Sequence, residues 1–285
     1  MLSRSTIQLL RFHFSFFLLP VYLFAISQVP LINWAKAVFV FLILHLLVYP
    51  SSNGYNSYMD RDQTPIGGLE APLQPTRQLF RITILMDLAS VILSLWVSPV
   101  FGLGILLYIL ASRLYSYRGI RLKRFPIPGF LIVFIFQGAL IFFIVYQGCD
   151  LQSGWNVPTL PCVISSMLIG ALYPLTQIYQ HEEDKRDGVT TISYIAGKRG
   201  TFILSMLFFL SATALMYWWL GEQNNLNHFY LFLLILFPVV LFFLSWMIKV
   251  WKHAEQANFK NSLRMNLIAG LCTSTFFITL IILKH

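Results

Sequence analysis

The sequence predicts an all-α polytopic membrane protein of nine transmembrane helices. Its 285 residues are 57% hydrophobic and include 26 Phe, and its mean hydropathy is +0.70. A water-facing surface does not tolerate that composition. The apolar runs also have the length of spanning helices, roughly 17 to 25 residues, as required where every backbone polar group must be paired internally. They lie at approximately 12–28, 34–52, 79–97, 99–115, 127–147, 159–179, 202–220, 228–250 and 263–283.

Taken in order, the first run follows Arg4 and Arg11 in the manner of a secretory signal. With eight more spans behind it, it is read as a retained first helix. The second run leads into NSYMDRDQTPIGG, where Asn56 and Asp60 are four residues apart and share a face if the helix continues to about residue 60. The third carries Asp87 at mid-span, where an ionisable group needs a partner or a water-filled cavity. An interhelical bond is the expectation there, as it is for His45 in the second helix. The fourth and fifth runs flank YSYRGIRLKRFPIPG, and the sixth ends at QHEEDKRDG. Short polar connections separate the last three. Cys149 and Cys162 lie in or beside the loop between the fifth and sixth runs and allow a disulfide in an oxidising compartment. The chain reads as one transmembrane domain, 1–285.

The net charge of +9 is not read as a nucleic-acid footprint, because the basic residues follow the membrane. With the N-terminus cytoplasmic, only Lys36 and Lys284 of the 20 Lys and Arg fall on the far side. This asymmetry obeys the positive-inside rule and supports nine spans. The expected location is a bacterial inner membrane, with membrane lipids as surroundings.

Seven of the eleven carboxylates fall in two segments on the expected cytoplasmic face: Asp60, Asp62 and Glu70 after the second helix, and Glu182, Glu183, Asp184 and Asp187 after the sixth. Gln180 and Asp184 are again four apart. Carboxylates and amides without His or Cys companions suit Mg²⁺, which takes one or two carboxylates and keeps other positions for water and phosphate. The candidate metal ligands are Asn56, Asp60 and Asp62 on one side and Gln180, Glu183 and Asp184 on the other. Between the fourth and fifth helices, Arg118, Arg121, Lys123 and Arg124 supply charge suited to phosphate oxygens. Arg61 is positioned to contact phosphate or to offset its acidic neighbours. Tyr115 and Tyr117 lie beside the basic segment, and His181 lies within the acidic one.

These residues resemble the UbiA superfamily of intramembrane prenyltransferases, whose plan is nine helices around a central cavity with motifs after helices two and six. In NSYMDRDQT, Asn56, Asp60 and Asp62 match the first signature, and Thr64 stands where a further Asp is common. In QHEEDKRDGVTT, Asp184, Gly188 and Thr191 match the second, and Gln180 replaces its leading Asp. Lys123 is the best match to the phosphate-contacting lysine. The resemblance implies Mg²⁺-dependent transfer of an isoprenyl group from a prenyl diphosphate to a lipophilic acceptor, often an aromatic ring. Asn56, Asp60 and Asp184 would be catalytic, and Arg61, Tyr115, Arg121, Lys123 and Arg124 would bind the diphosphate. A membrane terpene cyclase and a non-catalytic lipid-binding member are alternatives within the fold. A cation channel or transporter with an acidic mouth is the alternative outside it.

Overall fold

The computed structural model describes residues 2–152 and 154–284. Among them, nine helices are long and apolar enough to cross a membrane: α1 Arg4–Gln28, α2 Trp34–Asp60, α3 Arg77–Leu95, α4 Pro99–Ser116, α5 Pro126–Cys149, α6 Thr159–Gln177, α7 Ile192–Glu222, α8 Leu226–Lys252 and α9 Phe259–Lys284. Each packs on its neighbours in sequence, and α9 returns to pack on α1, so the helices form a closed ring. Their outer faces carry exposed side chains such as Leu85, Leu88, Leu234 and Ile282, as a lipid-facing surface requires.

Three departures from regular helix shape this ring. In α1, Arg11 takes a left-handed conformation (φ 47°, ψ 51°), which separates the helical turn Arg4–Leu10 from a tightly wound 3₁₀ stretch, Phe12–Leu18. In α2 and α5, the stretches Ile43–Val48 and Phe134–Leu140 are π-helical, and such insertions often mark functional positions. Helix α7 begins ten residues before the predicted run, because Thr191 caps it by accepting from the Tyr194 amide. Gly197 (φ 68°, ψ 171°) then turns the chain, a conformation costly for any residue with a Cβ.

The expected central cavity is present, and among the described residues it is divided into a polar and an apolar part. Helix α1 crosses the ring to pack on α5, where Phe24 lies 5.0 Å from Phe142, and it also stacks on α9, with Phe24 4.5 Å from Phe277. The polar cavity is bounded by α1, α2, α4, α5 and α6, and the apolar one by α1 and α6 to α9.

Asp87 is paired, as expected of a mid-span carboxylate. Arg113 on α4 forms a salt bridge with it, and Ser51 on α2 donates to it at 2.5 Å. The Arg113 guanidinium also lies 3.8 Å from the Tyr55 ring centroid. One ion pair thus ties α2, α3 and α4 together. His45 is buried with Nε2 unpartnered, stacked 4.5 Å from Phe41 and set edge-on to Tyr49. Its place is in an aromatic cluster. Cys149 and Cys162 are both free thiols, so the disulfide expectation fails.

Two outcomes follow from this packing. Asp87→Ala leaves Arg113 without its carboxylate and is expected to destabilise the protein by roughly 3–5 kcal/mol, read by thermal unfolding in detergent, while the apolar double variant Asp87→Leu, Arg113→Met recovers most of the loss. At Gly138 on α5, an added Cβ would lie 2.5 Å from the Ser166 Cα on α6, a backbone atom unable to move alone. Gly138→Val is therefore expected to lower the unfolding temperature more than Gly200→Val, whose nearest neighbour is a side-chain atom at 3.3 Å.

Candidate active site

The motif ends of α2 and α6 meet at the polar cavity, whose volume is about 180 Å³. Asn56, Asp60 and Asp62 line it from α2 and the turn that follows, and Gln180 and Asp184 line it from the segment after α6. Helix α2 runs to Asp60, so Asn56 and Asp60 do share a face. Arg61 ends the helix in a left-handed conformation (φ 57°, ψ 39°), and this turn brings Asp62 back to the cavity. On the other side, α6 gives way after Gln177 to the short helix His181–Arg186. The Asp184 amide donates to the Gln180 carbonyl at 2.9 Å, which fixes these two residues one turn apart.

The basic loop between α4 and α5 closes the site. Asp60, only 9% exposed, accepts from Arg121 at 3.2 Å through Oδ1 and from Lys123 through Oδ2. Arg121 also pairs with Asp187, so a single guanidinium joins both acidic segments. Burial alone would raise the Asp187 carboxyl, but its hydrogen bond and charge pairing with Arg121 hold it below the usual range. Arg118 donates to the Met59 carbonyl at 2.6 Å and to the Asp60 carbonyl at 3.3 Å, satisfying the C-terminal end of α2.

Local negative charge exceeds what these cations neutralise. Burial, followed by the Asp60 charge, pushes Asp62 up to about 6. Burial, opposed by Lys123 and reinforced by Asp60, Asp62 and Glu183, pushes Asp184 up to about 7. The Asp184 Oδ2 atom is buried without a hydrogen-bond partner. An all-oxygen donor set with a surplus of buried carboxylate fits a hard divalent cation. Among the described residues, no three His, Cys, Asp or Glu side chains are grouped to hold a metal by themselves. That agrees with Mg²⁺ chemistry in which one or two carboxylates share the ion with substrate phosphate.

The remaining candidates divide. Lys123 and Tyr115 line the cavity, the latter bonded to Tyr173 at 2.6 Å between hydroxyl oxygens. Arg121 stands behind the cavity and acts through Asp60 and Asp187. Glu183 faces away from it and accepts from the Gln63 amide at 3.3 Å. Arg61 is exposed, and Arg124 is exposed over the Phe125 ring at 4.6 Å, so neither reaches the cavity. The exposed Tyr117 does not line it either, and Thr64 is also exposed. His181 is bonded to Ser193 at 2.8 Å, and burial, followed by the Lys198 charge, lowers it to about 4.

Several lining residues escaped the sequence reading. Arg11 is 5% exposed; its guanidinium donates to the Gly67 and Asn53 carbonyls, and its Nε has no partner. Among the described residues no carboxylate lies within ion-pair distance of it, and it presents a positive charge to the cavity near Asp62 and Asp60. Tyr108, Ser112 and Ser116 on α4, and Tyr173, Thr176 and Gln177 at the end of α6, also line it. Their spacing of three and four along apolar helices is the signal that could have found them.

The sequence matches the UbiA prenyltransferase family over residues 15–268. No curated protein matches it. A UbiA homologue from Archaeoglobus fulgidus, solved with GPP and Mg²⁺, superposes with a TM-score of 0.68 at 18% identity, covering 97% of this chain and 99% of that one. An apo UbiA homologue from Aeropyrum pernix K1 gives a TM-score of 0.68 at 17% identity, covering 94% and 97%. A digeranylgeranylglyceryl phosphate synthase gives 0.63 at 16% identity, covering 98% of each. Nine membrane-crossing helices among the described residues, the two motifs meeting at one cavity and the match over residues 15–268 lead to one assignment: this chain belongs to the UbiA prenyltransferase family.

Proposed function

We propose that this protein transfers an isoprenyl group from a prenyl diphosphate to a lipophilic acceptor, with Mg²⁺ at the polar cavity. The carrying observation is that Asp60, Asp62 and Asp184, from two distant segments, line one small cavity together with Lys123 and Arg11. The Archaeoglobus fulgidus homologue, bound to DMAPP or to GPP with Mg²⁺, supports the same reading. The excess of basic residues on the motif face supports a cytoplasmic site, in a bacterial inner membrane.

Asn56, Asp60 and Asp62 on one side and Gln180 and Asp184 on the other would hold Mg²⁺, which when bound would supply positive charge opposite the departing diphosphate. Lys123 and Arg11 add fixed positive charge in a site shielded from water, where it stabilises a developing anion most effectively. Arg121 positions Asp60, and Arg118 anchors the backbone that carries it. The C1–O bond of the prenyl diphosphate breaks, and its electron pair leaves with the diphosphate. The acceptor carbon supplies the pair for the new C–C bond, and its hydrogen departs as a proton to a diphosphate oxygen or water.

The apolar cavity, about 390 Å³, supports a place for the isoprenoid tail. Leu172, Phe209, Leu236, Phe243 and Met265 line it, and burial there is worth roughly 0.8 kcal/mol per CH₂. A gap of only about 10 Å³ shares Phe14 with the polar cavity and Phe17 with the apolar one. Rotation of these two rings would open the way between them.

Asp60→Ala and Asp184→Ala are each expected to lower Mg²⁺-dependent, acceptor-dependent diphosphate release by about 100-fold or more, with the protein still folded. Full activity in both variants, or release of prenyl hydrocarbon without any acceptor, would contradict transfer by this site. Ala269 on α9 lines the apolar cavity. Ala269→Phe is expected to lower kcat/KM for a twenty-carbon diphosphate by about 10-fold or more while sparing the five-carbon one, measured in parallel assays, since it removes apolar volume that only the longer tail reaches.

A further inference from the structure

The inner end of the polar cavity is lined by neutral hydrogen-bonding groups. Ser52 lies eight residues along α2 from Asp60, and Tyr108 eight residues along α4 from Ser116, which places both about 12 Å deeper than the motif ends. There the Ser52 and Ser112 hydroxyls are 2.6 Å apart, and Tyr108 and Gln137 line the cavity beside them. Gln137 belongs to the π-helical stretch of α5. The adjoining Gly138 is pressed against the Ser166 backbone, and Ser166 Oγ accepts from the Ala139 amide at 3.0 Å, so Gln137 is held on the cavity side.

Two more features point to a ligand in this space. Asn53 Nδ2, one residue from Ser52, is buried without a hydrogen-bond partner, as is Gln177 Oε1 nearer the motif end, and both residues line the cavity, from α2 and α6. They leave one free donor and one free acceptor. The cavity's lining cations are Arg11, bonded to the Asn53 and Gly67 carbonyls, and Lys123, paired with Asp60, so neither is hydrogen-bonded to Gln137, Tyr108, Ser112 or Ser52. A carboxylate there would lose its hydration without gaining a counter-ion, whereas hydroxyl and carbonyl groups would find partners.

Resting on the prenyl-transfer reading, we infer that the inner end of this cavity recognises the acceptor as an uncharged ring bearing hydroxyl or carbonyl groups, through Gln137, Tyr108, Ser112 and Ser52.

The test is calorimetric binding to the purified protein in nanodiscs, with methyl 2,5-dihydroxybenzoate and 2,5-dihydroxybenzoate as matched neutral and anionic probes. GPP with Mg²⁺ is titrated in the same preparations. The ester is expected to bind at least about 10-fold more tightly than the carboxylate. Gln137→Leu and, separately, Tyr108→Phe are expected to weaken ester binding several-fold while leaving GPP binding unchanged, which also shows that each variant is folded. Equal or tighter binding of the carboxylate, no binding of either ring, or ester binding unaffected in both variants would overturn the inference. Absence of Mg²⁺-dependent GPP binding in the unmodified protein would instead count against the prenyl-transfer reading itself.

Discussion

The structure depends on matching buried charge in a medium of low dielectric. Asp60 is almost fully buried and receives both Arg121 and Lys123, while Arg121 extends to Asp187. Without these cations the end of α2 would carry an uncompensated carboxylate at the edge of the hydrocarbon layer, an expensive arrangement. The loop between α4 and α5 is therefore drawn over the ends of α2 and α6. Convergence of the two motifs is in this sense an electrostatic consequence of having acidic ends on the same face. The same rule acts at mid-span, where Asp87 and Arg113 tie α3 to α4 and recruit Ser51 of α2.

The interior is divided into two environments. Phe24 of α1 packs between Phe142 and Phe277, and it lines the apolar cavity but not the polar one. A substrate with a charged head and a hydrocarbon tail needs two environments that no uniform cavity supplies. The polar cavity contains the charged groups, and the apolar one is walled by Leu, Phe and Met. The passage beside Phe14 and Phe17 is where they adjoin, next to the tightly wound stretch that follows the left-handed Arg11.

Much of this was legible from residue order, for physical reasons. Spanning helices announce themselves by length and hydropathy, and all nine predicted runs overlap observed helices. The i, i+4 spacing of Asn56 with Asp60 survives because α2 continues to Asp60. What sequence could not supply was direction. Arg121, Lys123 and Arg124 are near neighbours, yet Lys123 enters the cavity, Arg121 bridges two acids behind it and Arg124 lies over Phe125. The left-handed turns at Arg61 and Arg121 set those directions, and neither residue type announces such a turn. Glu183 and Asp184, adjacent in sequence, likewise diverge because they sit on a helical turn. Arg11 reads in the sequence as a basic flank of a retained first helix; only tertiary packing shows that it faces the site.

The central claim is that the ends of α2 and α6 share one metal and one diphosphate. It is tested most directly by electron–nuclear double resonance on Mn²⁺ substituted for Mg²⁺, with GPP bound to the protein in nanodiscs. The account predicts phosphorus-31 coupling to the bound Mn²⁺ that is lost on alanine substitution at either Asp62 or Asp184. Phosphorus coupling that persists unchanged in both variants, with Mn²⁺ still bound, would show that the metal and diphosphate lie elsewhere and would contradict the account.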